Sequence, residues 1–412
     1  MFCIVLCLCG CSALTTKNNI TNLLSAPKQN ENESSIVAAI EDYLGEDISL
    51  KYSKNQGYTA PVQLIDIDFD DVQEAVVFYY APNKGANIRF ALLARKDGKW
   101  NIVADKEGLG TEVFYFDTIV LPYVYGRQIT VGYQSANIDE NFFVTYFTDK
   151  NIQLPDYAES CRHIVTGDMT GNGYSDVILA KVSSYGNVSL NILSFTEDLS
   201  FESVGVKSLK YTNIELAQLV VDYLRDGRRA VFADYTDTHN RMHTEVYALE
   251  NGRMVPCLTD GIVTNIWEHE PVIASRDIDN DGYLETATVI QPQTPEEVPS
   301  FKYIQWSDRT SAEQQKICYG VFDVRENIFM AIPDQWRDMV YTKALDNGFE
   351  IKNIETDETM VKLVEIESAD NVESGAYSYT VYIGTRLWHL ECSTDMNMTQ
   401  VEYVYKGITD FD

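Results

Sequence analysis

Residues 275–286 read SRDIDNDGYLET, and the arrangement of oxygen side chains in this stretch recurs along the chain. Asp277, Asp279, Asp281 and Glu285 stand at positions 1, 3, 5 and 9 of a short frame, with Gly282 at position 6. In LIDIDFDDVQEAVV (64–77) the same places hold Asp66, Asp68, Asp70 and Glu74, with Asp71 at the sixth. In VTGDMTGNGYSDVILA (165–180) they hold Asp168, Thr170, Asn172 and Asp176, with Gly173 at the sixth. Two more stretches keep the frame without its acids. Residues 219–235 retain Asp222 and Gly227 but have Leu224 third and Ala230 ninth, and residues 119–134 retain only Gly126. The turn positions 71, 126, 173, 227 and 282 are therefore 55, 47, 54 and 55 residues apart. A steady period near fifty marks a chain built from stacked repeats, each too small to bury its own apolar face.

Each period carries strands. After the turn comes an apolar run (EAVVFYY, QITVGYQ, SDVILAKV, RAVFADY, ETATVI). A second run follows across a polar hairpin, as in IRFALLARKDGKW and TEVYALENGRM. Alternating apolar residues bounded by turn signals predict antiparallel hairpins. The 26 tyrosines and 17 phenylalanines suit pleated faces. About four short strands per fifty residues is one propeller blade. IELAQLVVDYL (214–224) has helical propensity, but its place in the repeat predicts a strand. The expected fold is mainly β: a β-propeller of about five or more four-stranded blades over residues 36–315. Beyond 316 the period is lost, and residues 316–412 are expected to form a small α+β or antiparallel β domain.

A loop with oxygens at 1, 3, 5 and 9 curls so that alternate side chains point inward, and a residue tolerant of left-handed backbone at 6 permits the turn. Calcium takes six to eight oxygens at about 2.3–2.6 Å in a tolerant geometry. The spacing is similar to the start of an EF-hand loop, but the closing acid falls at 9 and a strand follows. The frame resembles the FG-GAP/VCBS-type repeat of integrin-like β-propellers, whose loops bind calcium. By that resemblance the last loop's ligands are Asp277, Asp279, Asp281, Glu285 and the carbonyl of Tyr283. The first loop's are Asp66, Asp68, Asp70, Glu74 and the carbonyl of Val72. The middle loop's are Asp168, Thr170, Asn172, Asp176 and the carbonyl of Tyr174. The first and last loops each carry four carboxylates and the middle one two, so the middle site is expected to be weaker. These ten carboxylates, set against a formal net charge of −30, leave a further −20 (−30 + 10) on the rest of the chain.

The N-terminus reads MFCIVLCLCGCS. The apolar run is too short to span a bilayer and has the character of an export-signal core. No Lys or Arg precedes it. Leu8-Cys9-Gly10-Cys11 resembles the bacterial lipobox, which implies a signal peptide over 1–11, lipidation of Cys11, and attachment to the extracellular face of a cell membrane of the Gram-positive type. The alternative is a buried apolar terminus. Residues 12–35 are mostly Ser, Thr, Asn, Gln and Lys, the composition of a flexible linker. Ile36, Val37, Ile40 and Leu44 then predict a short amphipathic helix after Ser34 or Ser35.

The acidity excludes nucleic acid as a partner, because such a surface repels phosphate backbones. Cys161, Cys257, Cys318 and Cys392 lie far apart and form no zinc-type pair; they are disulfides or buried thiols. No GxSxG, GxxxxGK[ST] or HExxH motif is present. His239 and His243 have helical metal spacing but fall in an expected hairpin loop, and His269 stands between Glu268 and Glu270. Two functions remain: a binding or scaffolding module for a protein or glycan, and a carbohydrate-active enzyme built on a propeller. The absence of a catalytic motif favours the first.

Overall fold

The computed structural model describes residues 31–54, 58, 60–135, 141–148, 157–266, 273–290, 300–310, 315–368, 378–383, 385–393 and 404–406. The expected signal peptide, Cys11, most of the linker and His269 lie outside these residues. The chain is mainly β, with six antiparallel sheets in chain order among the described residues.

The first sheet comprises Val62–Ile65, Glu74–Tyr80, Arg89–Lys96 and Lys99–Glu107, with Ser49–Lys51 added beside Glu74–Tyr80. The second is Glu112–Val120, Arg127–Gln134, Asn141–Tyr146 and Tyr157–Cys161. The third is His163–Gly167, Asp176–Val182, Asn187–Phe195 and Phe201–Thr212. The fourth is Glu215–Tyr223, Arg229–Thr236, Arg241–Glu250 and Arg253–Pro256, with Val263–Ile266 also paired to Arg241–Glu250. IELAQLVVDYL is thus a strand, and the repeat outweighs its helical propensity. The fifth is Thr286–Ile290, Phe301–Ser307, Lys316–Asp323 and Ile328–Ile332, with Val404–Lys406 on its outer edge. The sixth holds Val340–Leu345, Gly348–Asn353, Thr359–Ile366, Arg386–Cys392 and Ser378–Ile383, in that spatial order.

The boundary expected at 315/316 needs correction. It falls inside the fifth sheet, where Phe301–Ser307 pairs with Lys316–Asp323. The acidic turn, which carries the periodic signal, is missing after this point, while strand pairing continues. The fifth sheet runs to Ile332, and a 3-10 turn at Asp334–Trp336 leads to the sixth.

Successive sheets pack face to face through apolar side chains. Val76, Phe78, Phe90 and Leu92 of the first sheet meet Phe116, Ile129, Val131 and Tyr133 of the second. Ile119 and Phe143 meet Val177, Leu179 and Leu193 of the third. Ile178, Leu190 and Ile192 meet Val231, Ala233 and Tyr235 of the fourth. Tyr303, Tyr319 and Met330 meet Phe349, Ile351 and Trp388 of the sixth. Strands such as EAVVFYY read as continuous apolar runs because both of their faces are covered. A four-stranded meander packed face-on against the next is a propeller blade, and the architecture is a series of such blades.

The face of the first sheet turned away from the second is covered by the helix Glu31–Leu44. Ile36 and Ile40 are fully buried on Ala75, Val77, Tyr79, Ala91 and Leu93. The helix begins four residues before the end of the expected linker, so its first turn is built from polar residues. No helix among the described residues is long and apolar enough to cross a membrane.

Candidate metal loops

Four of the five turns of the sequence frame connect two paired strands of a sheet, and the last leads into Thr286–Ile290 and is closed by the Arg276–Glu285 bridge. The loops with a closing acid at position 9 belong to the first, third and fifth sheets, and the turns 121–126 and 224–228, which lack it, to the second and fourth. Turns with and without the closing acid therefore alternate along the row.

The three acidic loops share one hydrogen-bond pattern. The carboxylate at position 1 accepts two backbone N–H groups across the turn. Asp66 accepts from Asp70 and Asp71 (both 3.2 Å), Asp168 from Asn172 (3.0 Å) and Gly173 (2.8 Å), and Asp277 from Asp281 (3.0 Å) and Gly282 (2.8 Å). The side chain at position 5 accepts from the amide at 7: Asp70 from Val72 (2.8 Å), Asn172 from Tyr174 (2.9 Å) and Asp281 from Tyr283 (3.0 Å). The acid at position 9 reaches back to the start of the loop. Glu74 accepts from Ile67 (2.9 Å), Asp176 from Thr170 (2.8 Å) and Glu285 from Ile278 (3.1 Å). Positive φ recurs at position 6, with Asp71 at 65°, Gly173 at 85° and Gly282 at 88°. Aspartate adopts this region more readily than most residues, so Asp71 does the work of the glycine.

Not every expected ligand converges. Oxygens of Asp66, Asp68 and Asp70 lie within 4.8 Å of one another in the first loop, and Glu74 stands outside that group. In the last loop Asp277, Asp279 and Glu285 converge, and Asp281 does not. Asp281 instead meets Arg225 at 2.5 Å. The middle loop has only Asp168 and Asp176 as carboxylates, beside Thr170 and Asn172.

These residues suit a divalent cation. Glu74, Asp176 and Glu285 are all buried, and burial pushes each carboxyl up, Glu285 to about 8 with Asp279, Asp281 and Asp277 adding repulsion. Asp279 Oδ1 is hidden from solvent and has no hydrogen-bond partner among the described residues. Buried charge without a counter-charge is costly, and a hard cation with oxygen ligands would relieve it.

The loops also join neighbouring sheets. The Arg127 amide donates to Ile67 O (2.7 Å), and the Phe69 and Tyr125 rings meet edge-on. The Ser175 amide donates to Val120 O (2.9 Å). Sequence reasoning missed Arg225, whose only signal was a basic residue inside a turn that lacks the closing acid.

His243 is not in a hairpin loop. It lies within the strand Arg241–Glu250, fully buried against Tyr211 and Tyr235 and 3.2 Å from Asp237. His239 sits in the preceding turn, so the two do not form a metal pair. All four described cysteines are free thiols. Burial pushes Cys161 and Cys318 up to about 12, so neither is a thiolate nucleophile near neutral pH.

Two open clefts lie away from the loops. One of about 920 Å³ runs between the second and third sheets, lined by Phe114, Arg162, His163, Lys181, Ser183 and Glu215 among others. The other, about 810 Å³, lies between the helix and the hairpin at 95–102, with Asp42, Arg95 and Trp100 on its walls. Among the described residues each is lined by a single carboxylate, whereas glycoside hydrolysis needs a facing pair.

In the larger cleft, burial and the neighbouring Arg162 push the His163 imidazole down from 6.5 to about 4. The fold therefore keeps it neutral while the unfolded chain takes up a proton. Its contribution to stability is complete above pH 6.5 and is lost as pH falls toward about 4. Urea unfolding at pH 7 and pH 4.5 should show a loss about 2–3 kcal/mol smaller in His163→Phe than in the wild type; equal losses would show that His163 is not the proton-linked group.

No protein-family profile matches the chain, and no curated protein matches it. Among solved structures, 90 chains match. One is the AfRom2 CNH domain, 12% identical, with 85% of this chain and 100% of that chain covered and a TM-score of 0.30. Another is the Dos1 propeller, 10% identical, with 84% and 82% covered and a TM-score of 0.31. Similarity at this level carries no argument about function, and the blade architecture rests on the strand topology above.

Proposed function

We propose that this chain is a calcium-stabilised β-propeller module that offers a binding or scaffolding surface to a protein or glycan partner. In this reading a lipid on Cys11 holds it at the extracellular face of a bacterial membrane. One observation carries the calcium reading: a single hydrogen-bond pattern recurs in three loops, each with a buried acid at its ninth position. The ion would be held by Asp66, Asp68, Asp70 and Glu74, by Asp168, Thr170, Asn172 and Asp176, and by Asp277, Asp279, Asp281 and Glu285. The carbonyls of Val72, Tyr174 and Tyr283 would complete the three sets. Its role is electrostatic and structural, neutralising the acids and fixing each loop against the adjoining sheet.

The binding reading follows from rigid sheets that present loops. The enzyme alternative is less favoured because Glu215 and Asp42 are each the one carboxylate among the described residues that line their clefts. The direct test is metal analysis and calorimetric calcium titration of the chelator-treated protein. Two or three calcium ions per chain are expected. Absence of uptake at millimolar calcium would sink the reading. A glycan array and a pull-down with the lipid-free body would then address the partner.

A further inference from the structure

Building on the calcium reading, we infer that Arg225 is an internal counter-ion of the last acidic loop, supplied by turn 224–228 of the preceding sheet and in competition with calcium. Arg225 lies in the turn after Glu215–Tyr223, at a place in the frame that needs no ligand. Its Nη2 is 2.5 Å from Asp281 and 3.3 Å from Glu285, and its Nε is 3.0 Å from Asp308. The guanidinium also lies 4.9 Å over the Tyr283 ring. Glu285 and Asp308 are almost wholly buried, at 0% and 3% side-chain exposure, so these contacts are shielded from solvent screening. A planar five-donor fork can serve three carboxylates and stack at once, which a lysine cannot.

The first loop has no such partner. The adjoining sheet also supplies an arginine, Arg127, at the start of its strand Arg127–Gln134, but its guanidinium lies over the Phe69 ring at 5.4 Å. Among the described residues none of Asp66, Asp68, Asp70 and Glu74 forms an ion pair with Lys or Arg. Two loops with the same number of carboxylates therefore differ in charge balance. For calcium to gain Asp281 as a ligand, Arg225 must release it, so binding at the last loop carries a cost absent from the first. The first loop is the tighter calcium site. The junction of the fourth and fifth sheets holds at low calcium because the arginine remains, whereas the junction of the first and second sheets loosens.

Hydrogen exchange along a calcium titration tests this loop by loop, using the full chain and Arg225→Gln. Protection of 277–285 should need at least tenfold more calcium than protection of 66–74 in the wild type. Arg225→Gln should lower the calcium midpoint of 277–285 at least tenfold and leave 66–74 unchanged. In chelator, the same substitution should cost protection at 277–285 alone. A midpoint within threefold of wild type, or a higher one, would overturn the competition. Arg225→Lys keeps the charge without the fork and should shift the midpoint less in the same direction; it reads the effect if the glutamine variant does not fold, and a lysine variant identical to wild type counts against it. If neither protein takes up calcium at any loop, the calcium reading and the competition fail together, and exchange in chelator still decides the latch: lower protection at 277–285 in Arg225→Gln supports it, and unchanged protection overturns it.

Discussion

Removing calcium should lower the melting temperature of the protein by about ten degrees. A ligand bound only by the folded state, at a thousand times its dissociation constant, adds about 4 kcal/mol per site, and 1 kcal/mol shifts the transition of a unit of 150–250 residues by roughly 2–4 °C. The acidic loops lead into Glu74–Tyr80, Asp176–Val182 and Thr286–Ile290 of alternate sheets, and the first two touch the second sheet through the Ile67 carbonyl and the Ser175 amide. The destabilisation therefore spreads from the loops into the contacts between sheets. Differential scanning calorimetry in millimolar calcium and in chelator measures it directly. A shift below about two degrees would mean that the acids are held by water and by one another. The Asp66→Asn variant should lose a substantial part of the calcium effect, because Asp66 both turns the loop through Asp70 and Asp71 and contributes to the convergent oxygens.

The second large effect concerns the helix Glu31–Leu44. Truncating Ile36 or Ile40 to alanine should cost about 2–5 kcal/mol each, the range for buried large-to-small changes. Both side chains are fully buried, and they pack on Ala75, Val77 and Tyr79 of the first sheet, with no other sheet in that cluster among the described residues. In a row where each sheet packs mainly on its neighbours, such damage stays local. Hydrogen exchange should therefore rise across residues 74–107 and remain unchanged in the fourth sheet, 215–256. Equal loosening of both regions would show that the sheets melt as one cooperative unit, and no change would show that the helix is dispensable.

Much of this architecture was legible in the sequence, because the acidic turn and the apolar strand after it repeat together. Glu215–Tyr223 was readable as a strand only through that repeat. Where the turn lost its acids, the signal ended although the pairing did not. Phe301–Ser307 and Lys316–Asp323 are therefore partners in one sheet, where the sequence suggested a domain boundary. The oxygens at positions 1, 3, 5 and 9 of the loops were visible as spacing. Their inequality was not, since it depends on Arg225, brought to Asp281 from 56 residues earlier (281 − 225) by the packing of adjacent sheets. His243 was misplaced for a similar reason. Its polar neighbours Asp237 and Arg241 resemble a loop, while its own position is a buried strand site closed by aromatic rings.

The strand Val404–Lys406 returns past the whole sixth sheet to hydrogen-bond with Ile328–Met330 of the fifth. This has a consequence for biosynthesis. Until Val404–Lys406 has been made and has folded back, that side of Ile328–Ile332 stands bare, with backbone groups ready to pair with any extended segment nearby. A nascent chain that has passed Ile332 but not yet reached Lys406 is thus open to mispairing at this edge, and in that interval a chaperone would have something to protect.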